Sequence, residues 1–287
     1  MSFGPKPWQQ TNWDWRAAGN FIGGGAGSGL IVITALAGVK GTAAVVLLLA
    51  GLALVGLGLS CVWLELGRPL RALHVFFNPR VSWMTREAIA ATVLFPVGIA
   101  AAAGVYGGMT GLVWLPAALA LVFVYCQGRM LNAAKGIRAW REPLMLPLLL
   151  ATSLAEGAGL FFLALPWHGQ GGALIVLLFG VLLLARAAIW IAYRQRLAGR
   201  MAARANSALD RAGRVLLIGG TAVPMALLLA VLAAGGASGV ALGSLAGLAA
   251  ALGGAYVKFT LITRAGFNQG FALQEVPVRG ARWLGNG

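Results

Sequence analysis

Long apolar runs alternate with short polar gaps along the whole chain. Runs long enough to cross about 30 Å of hydrocarbon, at roughly 20 residues each, occupy residues 17–39, 42–66, 84–106, 112–132, 144–165, 171–194, 213–235 and 238–262. In lipid such a run is helical, because a helix satisfies its own backbone donors and acceptors. The pattern predicts an all-α polytopic membrane protein. Its core would be a bundle of eight transmembrane helices over 17–262, with tails at 1–16 and 263–287.

The gaps alternate in character as well. Those at 40–41, 107–111, 166–170 and 236–237 are short and Gly-rich or polar, whereas 67–83, 133–143 and 195–212 are longer and basic. With eight spans, both tails and the three long loops share one side. Of the 22 Lys and Arg, 21 belong to that side and Lys40 alone to the other; setting aside Arg186 and Lys258, which fall inside spans, leaves 19 against one. The positive-inside bias then predicts both termini in the cytoplasm. Six of the seven acidic residues, Asp14, Glu65, Glu87, Glu142, Asp210 and Glu275, share this face. Its mixed but strongly basic charge suits a docking surface, although setting topology and touching anionic lipid explain most of the basic residues equally well.

Composition narrows the choice further. With 60% hydrophobic and 10% charged residues and a mean hydropathy of +0.84, no soluble class fits. A net charge of +15 suggests nucleic acid in a soluble protein, but here the spans sort that charge into loops, so no nucleic-acid partner is expected. The first apolar run is too long for a secretory signal and lacks a small-residue cleavage pattern, so it is expected to stay as an anchor. Cys61 and Cys126 are far apart, without C-x-x-C spacing, and read as buried thiols rather than as ligands for zinc or an iron–sulfur cluster. His74 and His168 fall at opposite ends of the bundle, which excludes paired axial ligands, so no haem or other metal site is expected in this chain.

Within the spans, Gly19, Gly23 and Gly27 lie four apart on one face of the first helix and predict close helix packing. The Gly23–Gly29 run superficially resembles a phosphate loop, but no strand precedes it and it lies within an apolar span. Pro96, Pro147 and Pro224 predict kinks. Ionisable residues in a span are costly and mark candidate sites: Glu156, Arg186 and Lys258 qualify. At 1.5 Å per residue, Glu156 and Arg186 lie about 18 and 12 Å from the inner ends of their spans, a depth at which they can pair. A self-neutralising buried pair and a proton relay fit these two equally. Lys258, nearer its helix end, is expected to snorkel.

The densest chemistry falls at the inner edge of the second and third spans. Glu65-Leu66-Gly67-Arg68-Pro69-Leu70 with Arg71 and His74 leads to Ser82-Trp83-Met84-Thr85-Arg86-Glu87. Ser82 is placed to cap the third helix, Glu87 falls in its first turn, and Arg68 or Arg86 can reach a carboxylate. A capped, salt-bridged loop accounts for these residues. So does a quinone headgroup site, which needs donors for carbonyl oxygens and carboxylates to relay protons.

Eight spans together with E-L-G-R-P at 65–69, S-W-M-T-R-E-A at 82–88 and K-x-x-L-I-T-R-A-G-F-N-Q-G-F-A-L across 258–273 resemble the membrane-anchor family of polysulfide and dimethyl-sulfoxide reductases over nearly the whole chain. Within that family, N-W-D-W-R-A-A-G-N-F-I-G-G-G and F-N-P-R-V-S-W-M-T-R-E-A look nearest to membrane subunits of phenylacetyl-CoA:acceptor oxidoreductases. The resemblance implies a bacterial or archaeal cytoplasmic-membrane complex. Its other members would be a molybdopterin catalytic subunit and a ferredoxin-like, four-cluster iron–sulfur subunit, with this chain passing electrons to membrane quinone, ubiquinone or menaquinone. It also implies a quinone site at Glu87, Arg86, Arg68 and Glu65, with His74 and Trp83 as further members. Relatives of the dimethyl-sulfoxide type often carry His where this chain has Glu65. Because the basic loops lie inside, the partners are expected on the cytoplasmic face, with electrons running outward from a phenylacetyl-CoA-type or sulfite-type substrate. Two other classes stand beside this one: a purely structural anchor, and a secondary transporter, against which the lack of related halves argues.

Overall fold

The computed structural model describes residues 4, 6–64, 69–170, 172–234 and 236–270, with the side chains of 69–72 left aside. Eight helices in it are long and apolar enough to cross a membrane: α1 (Trp15–Leu36), α2 (Gly41–Trp63), α3 (Trp83–Tyr106), α4 (Thr110–Ala133), α5 (Met145–Leu163), α6 (Ala173–Leu197), α7 (Ala203–Ala234) and α8 (Gly236–Thr263). Among the described residues all extended structure is two isolated bridges. The chain is therefore an all-α, multi-pass membrane protein, as its hydropathy predicts.

The helix starts follow local chemistry. Asp14 caps α1 by accepting from the Arg16 backbone N–H at 2.8 Å, and Ser82 caps α3 by accepting from the Thr85 N–H at 3.3 Å. The hydrogen bonds that Arg16 donates to Asp14 hold its carboxyl below the usual carboxylate range, so the cap is charged at neutral pH. One expectation needs correcting: most of 195–212 is helix, not loop. Residues Ala203–Arg214 extend α7 beyond the apolar run, with Ala205, Ala208, Leu209 and Ala212 buried on one face. Good helix formers and that buried stripe outweigh the segment's low hydropathy. Beyond it, Val215–Ala222 is π-helical before α-helix resumes at Val223.

Helix α1 is the central helix, packed against α2, α4, α5 and α8. The stripe of Gly19, Gly23 and Gly27 faces α2, where a side chain would run into Cys61, Leu54 and Gly51 respectively. The neighbouring glycines serve other partners: Gly24 abuts Gln127 and Phe123 on α4, and Gly25 abuts Ser153 on α5 and Lys258 on α8. Successive residues on a helix point about 100° apart, so three consecutive glycines let three different neighbours close in. Without a hydrophobic force between helices in lipid, such close packing is what holds them together.

The N-terminal segment, the 133–143 connection and the residues after α8 meet at one end of the bundle. Gln10 N–H donates to Gly266 O at 2.8 Å and Asn268 N–H to Trp8 O at 3.0 Å, and Ile137 bridges Asn268. Trp13 stacks on Trp140 at 5.0 Å, and the Trp140 indole donates to Leu261 O at 2.8 Å. Arg194 pairs with Asp210, and Arg196 with Glu142, at the same end.

Candidate functional site

Where α1 and α3 begin and α2 ends, the helices leave a cavity of about 480 Å³. Its walls are mainly apolar: Phe21 from α1, Leu59, Val62 and Trp63 from α2, Met84 from α3 and Met130 from α4. Val75 closes it from the 3₁₀ segment Pro69–Phe77, and Trp13 from the N-terminal segment. Trp63 and Met84 are exposed on the bundle surface. Polar groups gather at the inner wall, where Asn20 and Glu87 line the cavity, 4% and 3% exposed. Asn20 Nδ2 donates to Glu87 Oε1 at 3.0 Å, and Gln127 Nε2 donates to the Asn20 backbone oxygen at 3.1 Å. The Asn20 Oδ1 is buried and accepts from no described residue.

The predicted site residues part company here. Glu87 lines the cavity. Residues Trp83 and Arg86 lie three apart on another face of α3, and Arg86 reaches no described carboxylate. Its guanidinium sits 4.1 Å from the Trp83 ring centroid and donates to Pro79 O and Arg80 O at 2.9 and 2.7 Å. Residues Met84, Glu87 and Ala88, at spacings of three and one, form the cavity face instead. His74 is exposed, with its ring edge against Phe77. Glu65 and Arg68 fall outside the described residues. Asn20 escapes a reading of the spans that weighs only ionisable side chains. A buried amide in hydrocarbon carries the same signal at lower cost, and both Asn20 and Gln127 stand in plain view within apolar runs.

Comparison with protein-family models finds no match, and neither does comparison with curated proteins.

A second polar group lies deeper in the bundle, and it corrects two expectations. Glu156 pairs with Lys258 rather than Arg186: Lys258 Nζ is 2.6 Å from Glu156 Oε2 and 3.0 Å from Ser153 Oγ. Lys258 does not snorkel; both partners are 1% exposed. Glycines make the room, since a side chain at Gly254 would overlap the Glu156 carboxyl and one at Gly25 the Lys258 ammonium. Arg186, fully buried, donates to Ala250 O at 3.1 Å and to Gly220 O within the π-helical stretch of α7. Among the described residues no cluster of His, Cys, Asp or Glu has the make-up of a metal site.

Proposed function

We propose that this chain is the quinone-reactive membrane subunit of a molybdopterin and iron–sulfur oxidoreductase complex. The observation that carries the reading is the cavity: an apolar chamber at the edge of the bundle, reached beside exposed Trp63 and Met84, with a buried carboxyl and amide at its inner wall. A hydrophobic ring with a tail fits the walls. Its oxygens fit Glu87 and Asn20, whose Nδ2 and Oδ1 supply a donor and an acceptor. Bound there, quinone takes up two electrons and two protons. Glu87 is the group placed to hand over a proton, with Asn20 orienting its carboxyl through the 3.0 Å bond.

The bundle end beside the cavity supports a docking role. The N-terminal segment, the 133–143 connection and the segment after α8 are tied together over it, and they carry Arg138, Arg141 and Arg264. A ferredoxin-like iron–sulfur subunit seated on this face would bring its electrons close to Trp13 and the cavity. The excess of Lys and Arg at this end favours placing it, with both termini, in the cytoplasm of a bacterium or archaeon.

Substitution Glu87→Gln tests the reading, with assembly followed by co-purification. The expected outcome is an assembled complex whose quinone reduction falls about a hundredfold, the scale of a lost proton donor. Normal turnover in the assembled variant refutes the site.

A further inference from the structure

The two buried polar groups lie against neighbouring positions of α1. Asn20 holds Glu87 at the cavity, and Gln127 donates to the Asn20 backbone oxygen. One turn further, Gly24 abuts Gln127 Nε2 while its neighbour Gly25 abuts Lys258 Nζ and Ser153 Oγ. From there Lys258 leads to Glu156, and Arg186 lies beyond. Within the two groups, Asn20 Oδ1, Glu156 Oε1 and Arg186 Nε are among the buried hydrogen-bonding atoms that meet no partner among the described residues.

Charge supplies the second argument. The ionisable groups facing this interior are Glu87 from α3, the Cys126 thiol from α4, Glu156 from α5, Arg186 from α6 and Lys258 from α8, with α1 contributing only amides and hydroxyls. The deeper group sets two cations against one carboxylate, all within 1% exposure, and a net charge in hydrocarbon is strongly disfavoured. Arginine keeps its proton. The Lys258–Glu156 pair is therefore where one proton can leave and the group become neutral.

We propose that Lys258 and Glu156 hold a transferable proton that passes beside Ser153, Gln127 and Asn20 to Glu87, so that the bundle interior supplies the quinone cavity. This rests on the quinone reading above. In the step, an N–H bond of the Lys258 ammonium breaks and an O–H bond forms on the Glu87 carboxylate, leaving a neutral amine beside Glu156. The side chains that order the path are positioning residues.

The test uses the assembled complex with decylubiquinone as acceptor and compares Lys258→Met, the double variant Lys258→Met/Glu156→Gln, Gln127→Leu and Glu87→Gln. The expected result for the Lys258 and Gln127 variants is a kcat at least tenfold lower with unchanged KM. A larger solvent deuterium isotope effect and partial recovery on adding formic acid as a diffusible proton donor complete the signature. A merely structural role would give neither the isotope effect nor the recovery. Wild-type kcat and isotope effect in the assembled variants overturn the relay. Should the Lys258 variants fail to assemble, Ser153→Ala, which removes only the hydroxyl 3.0 Å from Lys258 Nζ and leaves the Glu87 side of the path intact, decides between the same two outcomes. Inactive Glu87→Gln beside unaffected Lys258 and Gln127 variants defeats the relay alone, whereas fully active Glu87→Gln defeats the quinone site itself.

Discussion

Glu87 and Glu156 are both carboxyls sealed inside the bundle, yet their surroundings differ in kind. Glu156 is clasped by Lys258 at 2.6 Å and packed against Gly254. Glu87 meets only neutral amides, Asn20 at 3.0 Å and Gln127, and faces a mainly apolar cavity. A carboxyl in hydrocarbon needs a partner. The clasped one has a fixed partner supplied by the fold, while the open one stands where a ligand can complete its bonding. The contrast separates a group that holds charge from a group placed to do chemistry.

The most severe way to break the contrast is to part the helices that create it. At the crossing of α1 and α5, a side chain on Gly29 would overlap Ser153 backbone oxygen and one on Gly157 would overlap Gly29 itself. No rotamer relieves a clash with backbone. Gly29→Val or Gly157→Val is expected to cost more than about 4 kcal/mol, in the range reserved for gross packing failure, and to abolish monodisperse protein on size exclusion in detergent. Native-like yield from either variant would show that the close crossing does not hold the bundle.

Next comes the clasp. Removing one member of a buried ion pair leaves an uncompensated charge and typically costs about 3–5 kcal/mol. Glu156→Gln alone, which leaves Lys258 and Arg186 without a counter-charge, is expected to lower stability by that amount, while the double variant with Lys258→Met loses less than the single one, because only one cation remains. A double-mutant cycle on reversible unfolding in micelles reads the coupling. Additive losses would mean that the pair does not act as a unit. Glu87 should behave in the opposite way: Glu87→Gln preserves size and the option of the Asn20 contact, so stability should change by no more than about 1 kcal/mol while quinone turnover collapses. A large loss of stability there would erase the distinction between the two carboxyls.

The eight spans and the basic end were legible because hydropathy and loop charge act residue by residue along the chain. The positions of α1 to α6 and α8 follow directly from their apolar runs. The inner part of α7 escaped because Ala203–Arg214 is polar on average and only its buried face reveals a helix. At the site, Glu87 could be read from its place near the start of the third apolar run, although it lies just past the first turn of α3 and not in it, but the companionship of Asn20, Trp63 and Met130 comes from four different helices meeting. The partner of Glu156 was misread for a related reason. Depth alone put Arg186 at a plausible height, whereas Gly25 and Gly254 decide which cation fits, and the effect of a missing side chain on a neighbouring helix is written only in three dimensions.

The smallest expected effect sharpens the comparison most cleanly. Arg194 and Asp210 pair at 2.6 Å, the same separation as Lys258 and Glu156, but at the water-facing end of α6 and α7, where the Asp210 side chain is 58% exposed. Distance being equal, the surroundings set the two pairs apart. Water screens the exposed pair and solvates each member when the other is removed, so Asp210→Asn should cost at most about 1 kcal/mol, and that loss should shrink as salt is raised. The Lys258–Glu156 pair, shielded from solvent, should show no such salt dependence. Matching stability losses and matching salt responses for the two pairs would mean that the Lys258–Glu156 site is wet, and the case for a charge held deep in the bundle would go with it.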